Sequence, residues 1–434
     1  MIFKKASATP PLRGRVRVPG DKSISHRALI ISALAEGRSA ATGINTGDDV
    51  IATAWCLTAL GASVLVDRER SRATIESPGL DSLAEPAGVL DCGNSGTAIR
   101  MLLGVCAAVH GQSVLTGDES LRRRPMLRVV SPLRQMGARI DGRDHGNLAP
   151  LTVRGAGLEG IDLETTVASA QVKTAILLAG LAASGRTTVT EPALSRDHTE
   201  RMLEDAGVAV ARDGLSVSVT GGARPVPREW SVPGDPSAAM FLVVAAVLVP
   251  GSEITIEDVA LNPTRTAAFD VLAAMGADIE VTPGSDSGGE PAGTVRAAHS
   301  ELRGIAIDPA LVPALIDEVP ALCIAAAAAD GETTLRGAAE LRVKESDRIA
   351  LMAGGLSALG VTVEEFPDGL AIRGLSGGGF TGGGDIQSGG DHRIAMAFAV
   401  AGLIAREKVR VQGWSCVETS FPGFLDVLGE AQAG

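Results

Sequence analysis

Residues 18–25 read VPGDKSIS, and residues 232–239 read VPGDPSAA. Five of the first six positions match, with Lys22 in one copy standing against Pro236 in the other. A phrase repeated across 214 residues implies that something larger is repeated with it. Two further markers give its size. The first is a polar or small cluster followed by an almost wholly apolar run. It occurs as KSISHRALIISALAEG, NSGTAIRMLLGVCAAVHG, ASAQVKTAILLAGLAASG, DPSAAMFLVVAAVLVPG, DEVPALCIAAAAADG and GDHRIAMAFAVAGLIA. The second is a more polar run that stops at a glycine. Those glycines are Gly61, Gly137, Gly207, Gly276, Gly360 and Gly429, spaced by 76, 70, 69, 84 and 69 residues.

Each unit therefore has the same reading. A helix apolar on every side belongs in the interior. A short strand follows, then a helix ended by glycine, the residue that adopts a left-handed C-cap most readily. A hairpin closes most units, as in VTVEEFPDGLAIRG, where Asp368-Gly369 supplies the turn. The unit is βαβαββ, and six of them make two groups of three. The fold class is α/β, with two pseudo-threefold domains joined by two crossover strands at the VPGD copies. Residues 20–234 are expected to form one domain, and residues 1–19 with 235–434 the other. A long period also fits a solenoid, but the polar helix starts differ in chemistry from copy to copy, as they would around one site.

Bulk properties narrow the function. With 434 residues, 45% of them apolar and 21% charged, the chain is globular and long enough for two or three domains. A net charge of -12 excludes a general nucleic-acid coat or a binder of anionic membranes. The start, MIFKKASATPPLRG, has no apolar signal-type run, and the stretch from Ala238 to Val249 is too short to span a bilayer. Five cysteines without CxxC spacing and six scattered histidines give no metal motif. The expected setting is reducing and cytoplasmic.

Chemistry is concentrated at the helix starts, where unpaired N–H groups and the helix dipole favour anions. Ser, Asp or Asn there is explained by N-capping; added cations are not. Lys22, Ser23 and Arg27 crowd one start. Asn94, Ser95, Gly96 and Thr97 open another, where glycine permits close backbone approach. RRRPM holds Arg122, Arg123 and Arg124, while Ser169 and Gln171 offer a hydroxyl and an amide. SRDHTE supplies Ser195 and Arg196. LRVKESDR packs Arg342, Lys344, Glu345 and Arg348, with Lys344 and Arg348 expected on one helical face. GGDHR puts Asp391, His392 and Arg393 at a further start. LIDEVP is different, since Asp317 and Glu318 stand where other copies carry cations or hydroxyls. A carboxylate beside a cation-lined anion site is a natural general base.

PGDKSISHRAL, GNSGTAIR, RRRPM, LRVKESDRI and GGDHRIAM, in that order, resemble the 5-enolpyruvylshikimate-3-phosphate synthase family over essentially the whole chain. The resemblance implies the enolpyruvyl transferase fold, of inside-out α/β barrel type. It implies transfer of the enolpyruvyl (1-carboxyvinyl) group of phosphoenolpyruvate to the 5-hydroxyl of shikimate-3-phosphate. Phosphate is released through a tetrahedral intermediate, on the route to chorismate and the aromatic amino acids, without metal or organic cofactor. Carried over by position, Lys22, Ser23, Arg27, Ser169, Gln171, Ser195, Arg196, Asp317 and Lys344 surround shikimate-3-phosphate. Lys22, Asn94, Gly96, Arg124, Gln171, Arg348, His392 and Arg393 surround phosphoenolpyruvate. Asp317 is the base, with Lys22, Lys344 and Glu345 in catalysis. The two substrates bring about five or six negative charges, which explains cations on an acidic protein. Domain closure over them would exclude water. A monomer is expected, with no nucleic-acid or membrane partner.

Several positions depart from one family pattern. Ala170 replaces a second Ser found in some members, a loss Arg196 is placed to offset. Glu340 stands where some have Asn, and Thr419 where some have a Lys that touches phosphoenolpyruvate. These mark a second branch that often tolerates glyphosate, yet position 96 is Gly rather than the Ala that is one route to tolerance. An inhibition curve against phosphoenolpyruvate decides between the two indicators. The nearest rival, UDP-N-acetylglucosamine enolpyruvyl transferase, commonly uses a Cys in the loop matching residues 117–125, which here reads GDESLRRRP. A non-catalytic phospholigand scaffold has no need of Asp317, Lys344 and Glu345 together. RNA-end processing needs a nucleotide site, and the sequence has no P-loop.

Overall fold

The computed structural model describes residues 1–3, 9–155, 157–377 and 379–433, so residues 4–8 of the expected 1–19 arm lie outside the described residues. The chain divides into two compact units. One is Gly20–Pro233 with Asp286–Glu290; the other is Met1–Pro19, Gly234–Ser285 and Pro291–Gly434. Two of the passages between them fall at the two VPGD phrases, and the other two bracket Asp286–Glu290. Glycine is required there sterically. A Cβ on Gly20 would lie 1.8 Å from the Gly43 carbonyl oxygen, and one on Gly234 would lie 2.8 Å from Val18 Cγ2. The Asp21 N–H donates to the Pro233 carbonyl at 2.7 Å, and the Asp235 N–H donates to the Pro19 carbonyl at 2.9 Å. Residues 286–290, expected with the second domain, pack instead with the first. Glu290 Oε1 lies 2.7 Å from His198 Nδ1 with both side chains buried, and Ser287 Oγ donates to the Ser231 carbonyl at 3.0 Å.

Six separate sheets correspond to the six units, and none closes on itself among the described residues. The full pattern is plain in Leu90–Asp91, Gly111–Thr116, Arg139–Gly142 and Leu148–Gly155. The first two strands pair in parallel, and the last lies antiparallel between the second and third. Two units draw their first strand from far away. Glu229–Ser231 pairs in parallel with Glu36–Thr42, and Arg13–Arg17 pairs in parallel with Glu253–Ala260. Each strand that leads into a crossing thus stays in the unit the chain is leaving. In a further sheet, Ile2–Phe3 pairs antiparallel with Val409–Gln412, in the place a hairpin strand takes elsewhere.

The apolar helices are Lys22–Leu34, Gly96–Ala108, Ala170–Gly180, Pro236–Leu248, Val319–Ala328 and His392–Ile404. Every residue of Pro236–Leu248 is buried. Small residues let these helices approach closely: a Cβ on Gly104 would sit 2.2 Å from the Ala175 carbonyl oxygen. Five of the six marker glycines follow a helix at φ between 81° and 109°. Gly429 does not. It lies inside the helix Phe424–Ala433.

Residues 341–348 also differ from expectation. Lys344 follows the 3-10 turn Ala339–Val343, and Arg348 opens the helix Arg348–Ala358. The two share no helical face, because Asp347 acts as a cap and accepts the Ala350 N–H at 3.0 Å. All five cysteines are free, and burial pushes the Cys106 and Cys323 thiols up to about 12. Among the described residues, no helix is long and apolar enough to cross a membrane, and no cluster of metal-type side chains occurs.

Candidate active site

In the Gly20–Pro233 unit, Asp21 caps the first apolar helix by accepting the Ile24 N–H at 2.8 Å. Lys22 Nζ is 2.9 Å from Asp49 Oδ2. Arg27 is buried: Nε donates to Thr199 Oγ1 at 2.7 Å, Nη1 to the Ser23 carbonyl at 3.0 Å and Nη2 to Thr174 Oγ1 at 2.9 Å. Burial lowers the Arg27 pKa to about 10 against the pull of Glu200 and Asp21, so it is cationic at neutral pH. His26 is the reverse case. Burial, with Lys22 and Arg27 alongside, holds it well below the ordinary histidine value, and its Nδ1 meets Thr53 Oγ1 at 2.7 Å. KSISHR therefore offers two charges rather than three.

At the next helix start, Ser95 accepts the Ala98 N–H at 3.1 Å. Asn94 Nδ2 donates to Asp118 Oδ2 at 2.6 Å, and Asn94 Oδ1 accepts from Arg124 Nη2 at 2.7 Å. A Cβ on Gly96 would lie 2.9 Å from Arg124 Nη1 and 3.1 Å from Arg100 Nη1, so two guanidinium groups converge where glycine leaves room. Arg100 Nη1 donates to Gln171 Oε1 at 2.7 Å, and Gln171 Nε2 donates to Thr97 Oγ1 at 2.9 Å. Sequence reasoning passed over Arg100. The available signal was its place one turn after Gly96, on the same face of a buried helix. Ser169 heads the Ala170–Gly180 helix without a side-chain capping bond, and its N–H donates to Glu191 Oε1 at 2.9 Å. Ser195 Oγ donates to Glu191 Oε2 at 2.8 Å. Arg196 is half-buried and close enough to Arg27 to repel it.

The other unit holds the acidic group. Asp317 keeps 15% side-chain exposure; its Oδ1 is 3.2 Å from Arg348 Nη1 and 3.9 Å from Lys344 Nζ, and its Oδ2 is 3.8 Å from Arg393 Nη2. Its carbonyl accepts from Arg393 Nη1 at 2.8 Å. Glu318, only 1% exposed, accepts from Ser237 Oγ and lies 3.7 Å from Arg265 Nη2. Arg265 Nη2 in turn donates to Asp235 Oδ1 at 3.1 Å and to Ser237 Oγ at 2.8 Å. The adjacent carboxylates divide their work: Asp317 faces the cations with an open side, and Glu318 is locked into the packing beneath.

Arg348 is the hub. Its Nε donates to Asp391 Oδ2 at 2.7 Å and its Nη2 to Glu345 Oε2 at 2.6 Å, besides the Asp317 contact. Burial alone would lower its pKa; Asp391, Glu345 and Asp317 outweigh burial and raise it. Lys344, with a side chain 26% exposed, is lowered by burial against the pull of Asp317. Asp391 Oδ1 accepts the Arg393 N–H at 2.9 Å, and His392 is buried beside it. Thr419 donates to the Cys416 carbonyl at 2.7 Å. Within their unit, Asp317, Lys344, Glu345, Arg348 and Arg393 meet in one cluster.

Such cation-rich helix starts, with one carboxylate partly open among them, suit polyanionic substrates and proton transfer. A family model described as EPSP synthase (3-phosphoshikimate 1-carboxyvinyltransferase) matches residues 7–428. A protein named 3-phosphoshikimate 1-carboxyvinyltransferase from Halorhodospira halophila is 53% identical over 418 residues, spanning 96% of this chain and 93% of the relative. The enzyme of that name from Alkalilimnicola ehrlichii is 52% identical over 421 residues, spanning 97% and 93%. A solved EPSP synthase from Acinetobacter baumannii superposes with a TM-score of 0.87 at 43% identity, over 99% of this chain and 97% of that one. The enolpyruvyl transferase NikO from Streptomyces tendae, at 17% identity and a TM-score of 0.76 over 99% of this chain and 96% of that one, shares the fold.

Proposed function

The chain belongs to the EPSP synthase family, and from that premise we propose how its residues divide the reaction. Its activity is that of a 3-phosphoshikimate 1-carboxyvinyltransferase. The enolpyruvyl group of phosphoenolpyruvate passes to the 5-hydroxyl of shikimate-3-phosphate, and phosphate leaves. The observation that carries the residue assignment is Asp317, a partly open carboxylate with Arg348, Lys344 and Arg393 all within 4 Å.

Asp317 takes the 5-hydroxyl proton as that oxygen bonds to C2 of phosphoenolpyruvate. Lys344 and Glu345 carry a proton to C3, giving the tetrahedral adduct. Return of a proton from C3 restores the double bond as the C2–O bond to phosphate breaks. Lys22, Arg124, Arg348 and Arg393, with Asn94, Gly96, Gln171 and His392, hold phosphoenolpyruvate and balance the charge that moves onto the departing phosphate. Ser23, Arg27, Ser169, Gln171, Ser195 and Arg196, with Lys22, hold shikimate-3-phosphate. The enzyme acts in the cytoplasm as a monomer; light scattering on the purified chain tests the monomer. The deciding assay is phosphate release with both substrates and with each alone. No release with both overturns the assignment.

Two variants test the roles of single residues. In Gly96→Ala the added methyl meets the far ends of flexible arginines, so the fold survives while Arg100 and Arg124 are displaced. We expect KM for phosphoenolpyruvate to rise about tenfold, with KM for shikimate-3-phosphate within about twofold. An unchanged phosphoenolpyruvate KM would remove Gly96 and Arg124 from that site. For Lys344, burial lowers the pKa, so the protonated form is lost as pH rises through a value below that of an ordinary lysine. The alkaline limb of kcat should therefore lie below the ordinary lysine range. Lys344→Arg stays charged and should abolish that limb at a reduced rate. A limb that persists unchanged in Lys344→Arg belongs to another group.

A further inference from the structure

Lys173, Glu191 and Glu200 have no part in the reaction as described, yet they form a buried ionic cluster. Lys173 Nζ lies 2.8 Å from Glu191 Oε2 and 2.7 Å from Glu200 Oε1, with side chains 1%, 3% and 1% exposed. Stability is a poor reason for three buried charges, because well-packed apolar residues of similar volume commonly serve as well or better. The remaining contacts of Glu191 point elsewhere. Its Oε1 accepts the Ser169 N–H at 2.9 Å, and its Oε2 accepts the Ser195 hydroxyl at 2.8 Å. One carboxylate therefore bridges the start of the Ala170–Gly180 helix and the loop that follows strand Arg186–Thr190.

The cluster extends to a third element. Glu200 lies in the first turn of helix His198–Asp205, next to Thr199, whose hydroxyl meets Arg27 Nε at 2.7 Å and Thr174 Oγ1 at 2.5 Å. Glu200 also attracts Arg27 electrostatically. All three tied elements bear on the groups assigned to shikimate-3-phosphate: Ser169 and Gln171, Ser195 and Arg196, and Arg27 through Thr199.

We propose that Glu191 is a positioning residue for shikimate-3-phosphate, fixing Ser169 and Ser195 relative to each other while Lys173, itself held by Glu200, balances its charge. This rests on the assignment of Ser169 and Ser195 to the substrate phosphate. A serine hydroxyl has a single proton, and in this structure Glu191 accepts it. Ser195 must turn to donate to a phosphate, and Lys173 then remains as the partner of that carboxylate oxygen. Glu191 acts through these groups and touches no reacting atom.

Glu191→Ala leaves Lys173 paired with Glu200, so no buried charge is stranded. We expect its KM for shikimate-3-phosphate to rise at least about tenfold, with kcat and KM for phosphoenolpyruvate within about threefold. Glu191→Gln keeps an acceptor for the Ser169 N–H and should recover part of the loss. Ser195→Ala should also raise KM for shikimate-3-phosphate, and adding it to Glu191→Ala should cost less than the two single effects combined. Equal rises in both KM values with a fallen kcat would mean general loosening and would overturn the inference. If Ser195→Ala leaves KM for shikimate-3-phosphate unchanged, the phosphate assignment falls and the inference with it. If Ser195→Ala raises it and neither Glu191 variant does, only the inference falls. Should Glu191→Ala fail to fold, Glu191→Gln decides: a raised KM for shikimate-3-phosphate alone supports the role, and an unchanged one overturns it.

Discussion

Asp317→Asn should bind both substrates and lose turnover by about 10²–10⁴-fold, the range that a positioned general base contributes. Asparagine has the size of aspartate, and its side-chain oxygen can still accept from Arg348 Nη1, which Asp317 Oδ1 meets at 3.2 Å. The bond from Arg393 Nη1 goes to the main-chain carbonyl and is untouched by the change. Arg348 retains Asp391 and Glu345, so no buried cation is stranded. Removing one negative charge should, if anything, favour two polyanions. What the amide cannot do is take a proton from the 5-hydroxyl. Calorimetric titration with shikimate-3-phosphate and single-turnover phosphate release separate the two effects. Turnover near wild type would remove Asp317 as the base.

Arg348→Met should abolish activity and cost the fold about 3–5 kcal/mol, the usual penalty for breaking a buried ionic network from one side. The guanidinium is 1% exposed and uses three nitrogens on three carboxylates: Nε on Asp391, Nη2 on Glu345 and Nη1 on Asp317. Methionine fills a similar volume and leaves all three acids without that partner. Arg348→Lys should rescue little, because a compact ammonium cannot reach three divergent acceptors as a planar fork does. Asp391→Asn in the Arg348→Met background should restore part of the stability and none of the activity. Urea midpoints measure this. A midpoint for Arg348→Met close to wild type would show that solvent, not Arg348, compensates these acids.

What the sequence disclosed follows from the range of each signal. The unit βαβαββ was legible because its cues are local: glycine after a helix, Asp before one, apolar runs of fixed length. Gly429 misled because glycine marks a helix end only when the chain must turn, and there the helix continues. Spacing alone puts Lys344 and Arg348 on one helical face because it is blind to a cap; Asp347 interrupts them. Charged groups at helix starts stood out, as with Lys22, Asp317 and Arg393. Their partners did not. Arg348 meets Asp391 across 43 positions, Arg27 meets Thr174 across 147, and Glu191 reaches back 22 to the Ser169 N–H. No periodicity links such pairs. Lys173 lies inside an apolar helix, and a lone lysine amid Val172, Thr174 and Ala175 requires a buried acid whose position the sequence does not give.

The long-distance strand pairing has a consequence for synthesis. Arg13–Arg17 cannot pair until Glu253–Ala260 has been made, because its sheet partners are 240 positions further on. At ribosomal speeds of about 5–20 residues per second, that interval lasts roughly 10–50 s. A lone strand with unpaired N–H and C=O groups is a template for aggregation. This one reads RGRVR, with Arg13, Arg15 and Arg17 all exposed in the finished sheet and Val16 as its single buried side chain. Two of those arginines later share Glu257, at 2.5 Å and 3.3 Å, pairs too solvated to stabilise the sheet much. Positive charge at every second residue disfavours pairing with another copy, both while the partner strand is still unmade and along the edge that this strand keeps in the finished sheet.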